Sequence, residues 1–230
     1  MAGWYLRKYS EALMTKRKRT ILLGKGTLAI QAAAWLQASD LYELTLIVPD
    51  MPEPNWTDSL STWASTQGID QIPTGRHEDI PGLKEDGFQI DLVLSIFYGR
   101  IFPAWFINKC DRIINLHNSP LPTYRGIAPV NWALKNGEIL HGVTIHEINP
   151  GIDNGPIIGQ ATYSIYPETD EVIDVYNRGL AFGWELFKAV MPRLDDIAPR
   201  PQDESLATYY SSDDAVLLEE RRNFTRAESQ

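Results

Sequence analysis

One cysteine, Cys110, in 230 residues leaves no partner for an internal disulfide and too few thiolates for a cysteine-based zinc site. Such usage suits a reducing compartment, and the expected location is the cytoplasm. No apolar run approaches the roughly 20 residues that a membrane helix needs, and the N-terminus holds no apolar segment like that of a secretory signal. Positive charge is scarce too. Lys and Arg total 21 against 30 Asp and Glu, a net charge of −9, which disfavours the long-range field that a polyanion such as tRNA selects. The chain has no Walker sequence and no Gly-x-Ser-x-Gly elbow. Neither His77 nor His141 has an acid or cysteine at metal-ligand spacing, so no metal is expected. Repeats with a period of 20–50 residues and low-complexity tracts are also missing, which excludes solenoids and arrays.

What is present is an ordinary globular composition, 43% hydrophobic and 22% charged. Residues 1–19 run against the acidic balance, carrying Arg7, Lys8, Lys16, Arg17, Lys18 and Arg19 with one acid, Glu11, and read as a basic extension. From Thr20, short apolar runs alternate with helical patterns. Thr20 to Leu23, Glu43 to Val48, Ile90 to Phe97 and Arg112 to Leu116 read as strands apolar on both faces, which indicates a parallel sheet covered on both sides. Leu28 to Leu36, Thr57 to Thr66, Ala128 to Lys135 and Val172 to Val190 supply the helices. His141 to Ile148 and Ile157 to Ile165 are divided only by a turn-rich loop and suggest an antiparallel edge. Residues 20–192 thus form one doubly wound α/β domain, and 193–230 a small C-terminal appendage read as a hairpin or arm.

Gly24-Lys25-Gly26-Thr27-Leu28-Ala29 fits the G-x-G-x-x-A dinucleotide fingerprint, with Asp50 where an acid could meet a ribose hydroxyl. The competing reading is a first βα turn that needs glycine for close packing; Lys25 and the exposed amides of the turn also suit a phosphate. Asn115 and His117 lie two residues apart at the carboxyl end of an apolar strand, where open α/β sheets place ligands, and strand alternation puts them on one side. Asp153 sits in a Pro- and Gly-rich loop and reads equally well as a turn residue or as a carboxylate partner. An amide, an imidazole and a carboxylate sharing one pocket can stabilise an oxyanion, move a proton and orient the proton carrier. His146 marks the polar face of a strand, and its role stays open.

Asn115-Leu116-His117, Leu121-Pro122, Tyr124-Arg125-Gly126, Ala128-Pro129, Gly142-Val143-Thr144 and Gly151-Ile152-Asp153-Asn154-Gly155-Pro156 together resemble the signature of the formyltransferase family that uses N10-formyltetrahydrofolate. Tyr98-Gly99-Arg100-Ile101 is similar to that family's folate-side strand end. The resemblance is strongest over residues 90–160 and runs more weakly from 20 to 190. It implies a Rossmann-like formyltransferase fold, N10-formyltetrahydrofolate as cosubstrate, and Asn115, His117 and Asp153 as the catalytic trio. It further implies that Phe97, Tyr98, Gly99, Arg100, Ile101, Ile148, Gly151 and Ile152 hold the folate. Gly24, Lys25, Tyr124, Arg125 and Gly126 are expected to meet the acceptor.

The acceptor is read from departures within the family. Its methionyl-tRNA enzymes carry a sizeable C-terminal barrel that the residues after Pro192 do not readily supply, so tRNA is not expected as a partner. Gly24-Lys25-Gly26-Thr27 does not reproduce the Asn-rich phosphate loop of the glycinamide ribonucleotide enzymes. Gly126 to Trp132 with Asn136-Gly137-Glu138 is most similar to bacterial enzymes that formylate 4-amino sugars linked to nucleotides, although His117-Asn118-Ser119-Pro120 departs from the Gly-Ser-Leu common there. The expected substrate is therefore a nucleotide-linked 3- or 4-amino deoxysugar, as in lipopolysaccharide or other glycan biosynthesis. Sugar-specific members often dimerise through their C-terminal segments, which makes residues 207–224 a candidate homodimer interface. The alternatives are glycinamide ribonucleotide or another small amine, a folate-binding homologue without transfer activity, and an NAD-dependent oxidoreductase resting on Gly24 to Ala29 and Asp50.

Overall fold

The computed structural model describes residues 16–219. Residues 1–15 of the expected basic extension and 220–230 of the appendage, including 220–224 of the candidate interface, lie outside the described residues.

Six strands form one sheet in the order β2-β1-β3-β4-β6-β7. β1 (Lys18–Gly24), β2 (Tyr42–Pro49), β3 (Leu92–Ile96) and β4 (Ile113–His117) are mutually parallel, while β6 (Leu140–Glu147) and β7 (Ile157–Ser164) add an antiparallel edge beside β4. The mostly parallel sheet flanked by helices is the architecture that the alternating runs imply. β1 opens at Lys18 rather than Thr20, because Arg19 is tied to the Asp91 carboxylate through both its backbone N–H and its guanidinium.

Alternation along β1 divides the core. Leu22 joins a large cluster under α1 (Gly26–Gln37), α4 (Pro129–Lys135) and α5 (Val172–Val190), whereas Ile21 and Leu23 join a smaller one on the other face with Phe102 and Phe106. α1 turns Leu28, Ala29, Ala32, Ala33 and Leu36 inward at helical spacing. α5 starts in a capping box between Glu171 and Asp174 and packs closely at Gly183, where a β-carbon would stand 2.9 Å from the Leu28 side chain. On the same face, α2 (Leu60–Gln67) is capped by the Ser59 hydroxyl, ends at Gly68 in the left-handed conformation and adds Leu60 and Ala64 to the large cluster, while on the other face α3 (Ala104–Ile107) buries Phe106.

The chain after α5 is an arm that turns back along the sheet end. Ile157 and Arg200 exchange backbone hydrogen bonds, and β8 (Tyr209–Tyr210) pairs in parallel with the short β5 (Arg125–Gly126). Tyr210 then stacks on Trp132 at 4.0 Å, and α6 (Val216–Glu219) follows.

Candidate active site

β1, β3 and β4 end on the same edge of the sheet, and a cavity of about 730 Å³ opens there. In the parallel register Ser95 lies beside Asn115, and in the antiparallel register His146 of β6 lies on its other side. Two strands that run in opposite directions therefore bring Asn115, His117 and His146 to one wall. Asp153 arrives from the β6–β7 loop. That loop folds tightly onto β6 at Gly155, where any β-carbon would sit 1.7 Å from the Glu147 carbonyl. Asp153 itself has φ 50, a conformation that costs a non-glycine residue energy and persists only where its surroundings impose it. Phe97 (φ 55) and Ala128 (φ 51), two more of the four non-glycine residues with positive φ among the described residues, line the same cavity.

The hydrogen bonds set the protonation pattern. His117 Nε2 stands 2.9 Å from the Tyr124 carbonyl, which can only accept, so Nε2 carries a proton and Nδ1 faces the Asp153 carboxylate at 3.7 Å. His146 Nδ1 likewise donates to the Glu147 carbonyl at 2.8 Å. Its Nε2 then accepts from the Asn115 amide at 3.2 Å and lies 3.6 Å from the other Asp153 oxygen. The Gly126 N–H donates to Asp153 Oδ2 at 2.9 Å. Burial opposes ionisation of Asp153, but the attraction of a protonated His117 foremost, that of a protonated His146, and the Gly126 N–H together outweigh it. Its carboxyl is held well below the usual carboxylate range. The result is a fixed negative charge between two imidazoles, with one amide beside them.

The arm fastens this arrangement. Gln202 donates to the backbone carbonyls of Asp153 and Gly155 at 2.8 and 2.7 Å, while its own carbonyl accepts from the Arg125 guanidinium at 2.8 and 3.2 Å. Arg125 also pairs with Glu204 at 2.7 Å. One side chain thus ties the loop that carries Asp153 to the residue preceding Gly126, the donor to its carboxylate.

All eight residues expected on the folate side line the cavity, as do Lys25 and Gly126 from the acceptor side. The other three acceptor-side residues do not. Gly24 is packed beneath β3, where a β-carbon would be 2.2 Å from the Ile96 carbonyl. Tyr124 is buried and donates to Glu138, and the Arg125 guanidinium is taken up by the arm. These three act as scaffold because their polar groups already have protein partners. Asp50, the proposed ribose acid of the dinucleotide reading, is ion-paired with Lys25 and accepts from the Gly99 N–H. His146, whose role was open from its strand position, lines the cavity with Trp56 and Tyr176, and Gln202 holds the Asp153 loop behind it. Each reaches the site through pairing distant in sequence, which has no local signature.

Residues 78–191 match the model of the formyl transferase family. Over these residues the chain is similar to formyl transferases. A solved relative, the N-formyltransferase of Helicobacter canadensis in complex with folinic acid and dTDP-3-aminofucose, superposes with a TM-score of 0.72 at 26% identity, covering 86% of this chain and 72% of that one. The phosphoribosylglycinamide formyltransferase of Bacillus halodurans gives 0.64 at 26%, covering 77% and 95%. Among curated relatives, the methionyl-tRNA formyltransferase of Streptococcus sanguinis is 34% identical over 134 residues, 57% of this chain and 41% of that protein. The chain therefore spans less than half the length of this relative. That relationship overturns the exclusion of tRNA made from net charge and from the length after Pro192. Net charge averages the whole surface and does not report the local field at one cavity mouth.

Proposed function

We propose that this chain is a formyl transferase that moves a formyl group from N10-formyltetrahydrofolate to the amine of a nucleotide-linked amino deoxysugar. The observation that carries the reading is the convergence of Asn115, His117 and Asp153 on one cavity, supported by the Helicobacter canadensis relative that holds a folate and a dTDP-amino sugar together. The cavity volume falls within the range for small-molecule sites, about 300–1,000 Å³. Phe97 to Ile101 and Ile148 to Ile152 flank it as two backbone-rich walls suited to a flat heterocycle.

The bound folate supplies the formyl carbon and, at N10, the leaving nitrogen. Asn115 donates its amide to the oxyanion that develops on the formyl oxygen. His117, whose Nε2 proton is fixed on Tyr124, takes the proton of the attacking amine at Nδ1 and returns it to the departing N10. Asp153 stabilises the imidazolium in between, from 3.7 Å. His146 orients the Asn115 amide. Proton count closes, since the hydrogen lost by the amine ends on the folate nitrogen.

The test is incubation with N10-formyltetrahydrofolate and a panel of dTDP-, UDP- and GDP-linked 3- and 4-amino deoxysugars, following tetrahydrofolate release. Turnover of one panel member is expected. The second reading, favoured by the curated relatives, is methionyl-tRNA as acceptor. Formylation of methionyl-tRNA or of glycinamide ribonucleotide, with the sugar panel inert, overturns the sugar assignment.

A further inference from the structure

The wall formed by Trp56 and Tyr176 is shared between the large cavity and a second one of about 380 Å³. Trp56 is 57% exposed and meets Tyr176 edge-on at 5.1 Å, so an indole face remains uncovered. Tyr176 is braced from behind by Phe97 at 6.0 Å. Ile173 and Leu180 also line the second cavity, and its remaining lining is polar. Asn55 and Asn177 both border it, and their amides have no hydrogen-bond partner among the described residues. Asp58 stands there too, held by the Thr27 hydroxyl at 2.8 Å.

An open indole face beside two free amides is the donor set that recognises a planar heterocycle, by stacking on its face and pairing with its mixed donor and acceptor edge. The carboxylate of Asp58 disfavours a phosphate inside this cavity and tolerates a neutral ring. Between it and Asn115 lies the Gly24–Gly26 turn, where α1 begins without a side-chain cap. β1 is two strand spacings from β4, about 10 Å, a span that a diphosphate between sugar and base can bridge.

We propose that the cavity bounded by Trp56, Asn55 and Asn177 binds the nucleobase of the acceptor while the sugar amine lies at Asn115, His117 and Asp153. This rests on the nucleotide-sugar reading and assigns its specificity pocket. Trp56 supplies stacking, and Asn55 and Asn177 read the base edge. None of the three touches the reacting atoms.

The experiment has two arms. In the first, dTDP, UDP and GDP are titrated calorimetrically into the wild-type protein and into the Trp56→Ala, Trp56→Phe and Asn177→Ala variants. One nucleotide is expected to bind, with affinity reduced about 5- to 100-fold by Trp56→Ala, the range that base stacking supplies, and largely restored by Trp56→Phe. Trp56 is exposed, and an unchanged thermal midpoint checks that the variant folds. In the second arm, the amino sugar panel is assayed with the same variants. KM for the nucleotide sugar rises in parallel, while kcat and the KM for the folate stay within about twofold. Turnover of a nucleotide sugar with Trp56→Ala indistinguishable from wild type overturns the base site and leaves the function standing. No nucleotide binding and no sugar turnover overturns both, as does formylation of methionyl-tRNA alone.

Discussion

All four histidines of the chain are buried, yet they fall into two kinds of setting that use the same side chain in different ways. His117 and His146 flank the Asp153 carboxylate within 4 Å and face a cavity. His141 lies at the far end of β6 with its ring between Tyr124 and Tyr163, and donates to the Asn118 carbonyl at 2.9 Å. His77 is enclosed by Tyr98, Phe102 and Phe106. Burial pushes the His141 pKa down to about 4, only partly offset by the Asn118 carbonyl and reinforced by charge on His117. Burial also lowers that of His77, against the pull of Glu78 and with the help of Arg100 and Arg76. Burial therefore does not mark a histidine as functional. What separates the two settings is a fixed carboxylate shared between the rings and an opening through which a substrate reaches them.

The sharpest way to break the comparison is to remove the charge that distinguishes the first setting. Asp153→Asn keeps the shape of the side chain, and kcat is expected to fall about 10³-fold or more with little change in folate binding, as read by steady-state kinetics. Gln202→Ala leaves every group in the cavity but releases the loop behind Asp153. A loss of about 10- to 100-fold in kcat is expected, because sub-ångström placement of the carboxylate is at stake. His146→Ala frees the Asn115 amide, and about a tenfold fall in kcat is expected with KM unchanged. If His146→Ala retained full activity, His146 would belong with the structural pair.

The second setting predicts an effect on stability alone. The folded-state pKa of His141, about 4, lies below the unfolded value of 6.5. Between these values the unfolded chain binds the proton and the folded one does not, so its contribution is complete above about pH 6.5 and is lost as pH falls toward 4. The shift corresponds to about 3 kcal/mol. Thermal melts of wild type should lose stability across that window, and His141→Gln should lose less while its kcat stays near wild type. A kcat that collapses in His141→Gln at neutral pH would place this residue in the chemistry instead.

The order of strands and helices was legible because apolar runs of the right length, broken by glycine and proline, leave few alternatives in a doubly wound sheet. Asn115 and His117 were legible as a pair because two-residue spacing on a strand end is a local property. Tyr124 and Arg125 were misplaced for the opposite reason. They adjoin the site in sequence, but the partners that turn them away, Glu138, Gln202 and Glu204, are 14, 77 and 79 residues distant.

The amino-acid sequence by itself determined the parallel sheet with its antiparallel edge and the placing of Asn115 and His117 together at a strand end. Each is written in spacing and composition along short segments. Only the tertiary structure decided that Asp153 lies 3.7 Å from His117, that His146 stands beside Asn115, and that Gln202 and Arg125 hold the loop in place. The β4–β6 register and the return of the arm depend on pairings that close long loops, and such pairings are chosen by the free energy of the whole fold rather than by the residues nearest in the chain.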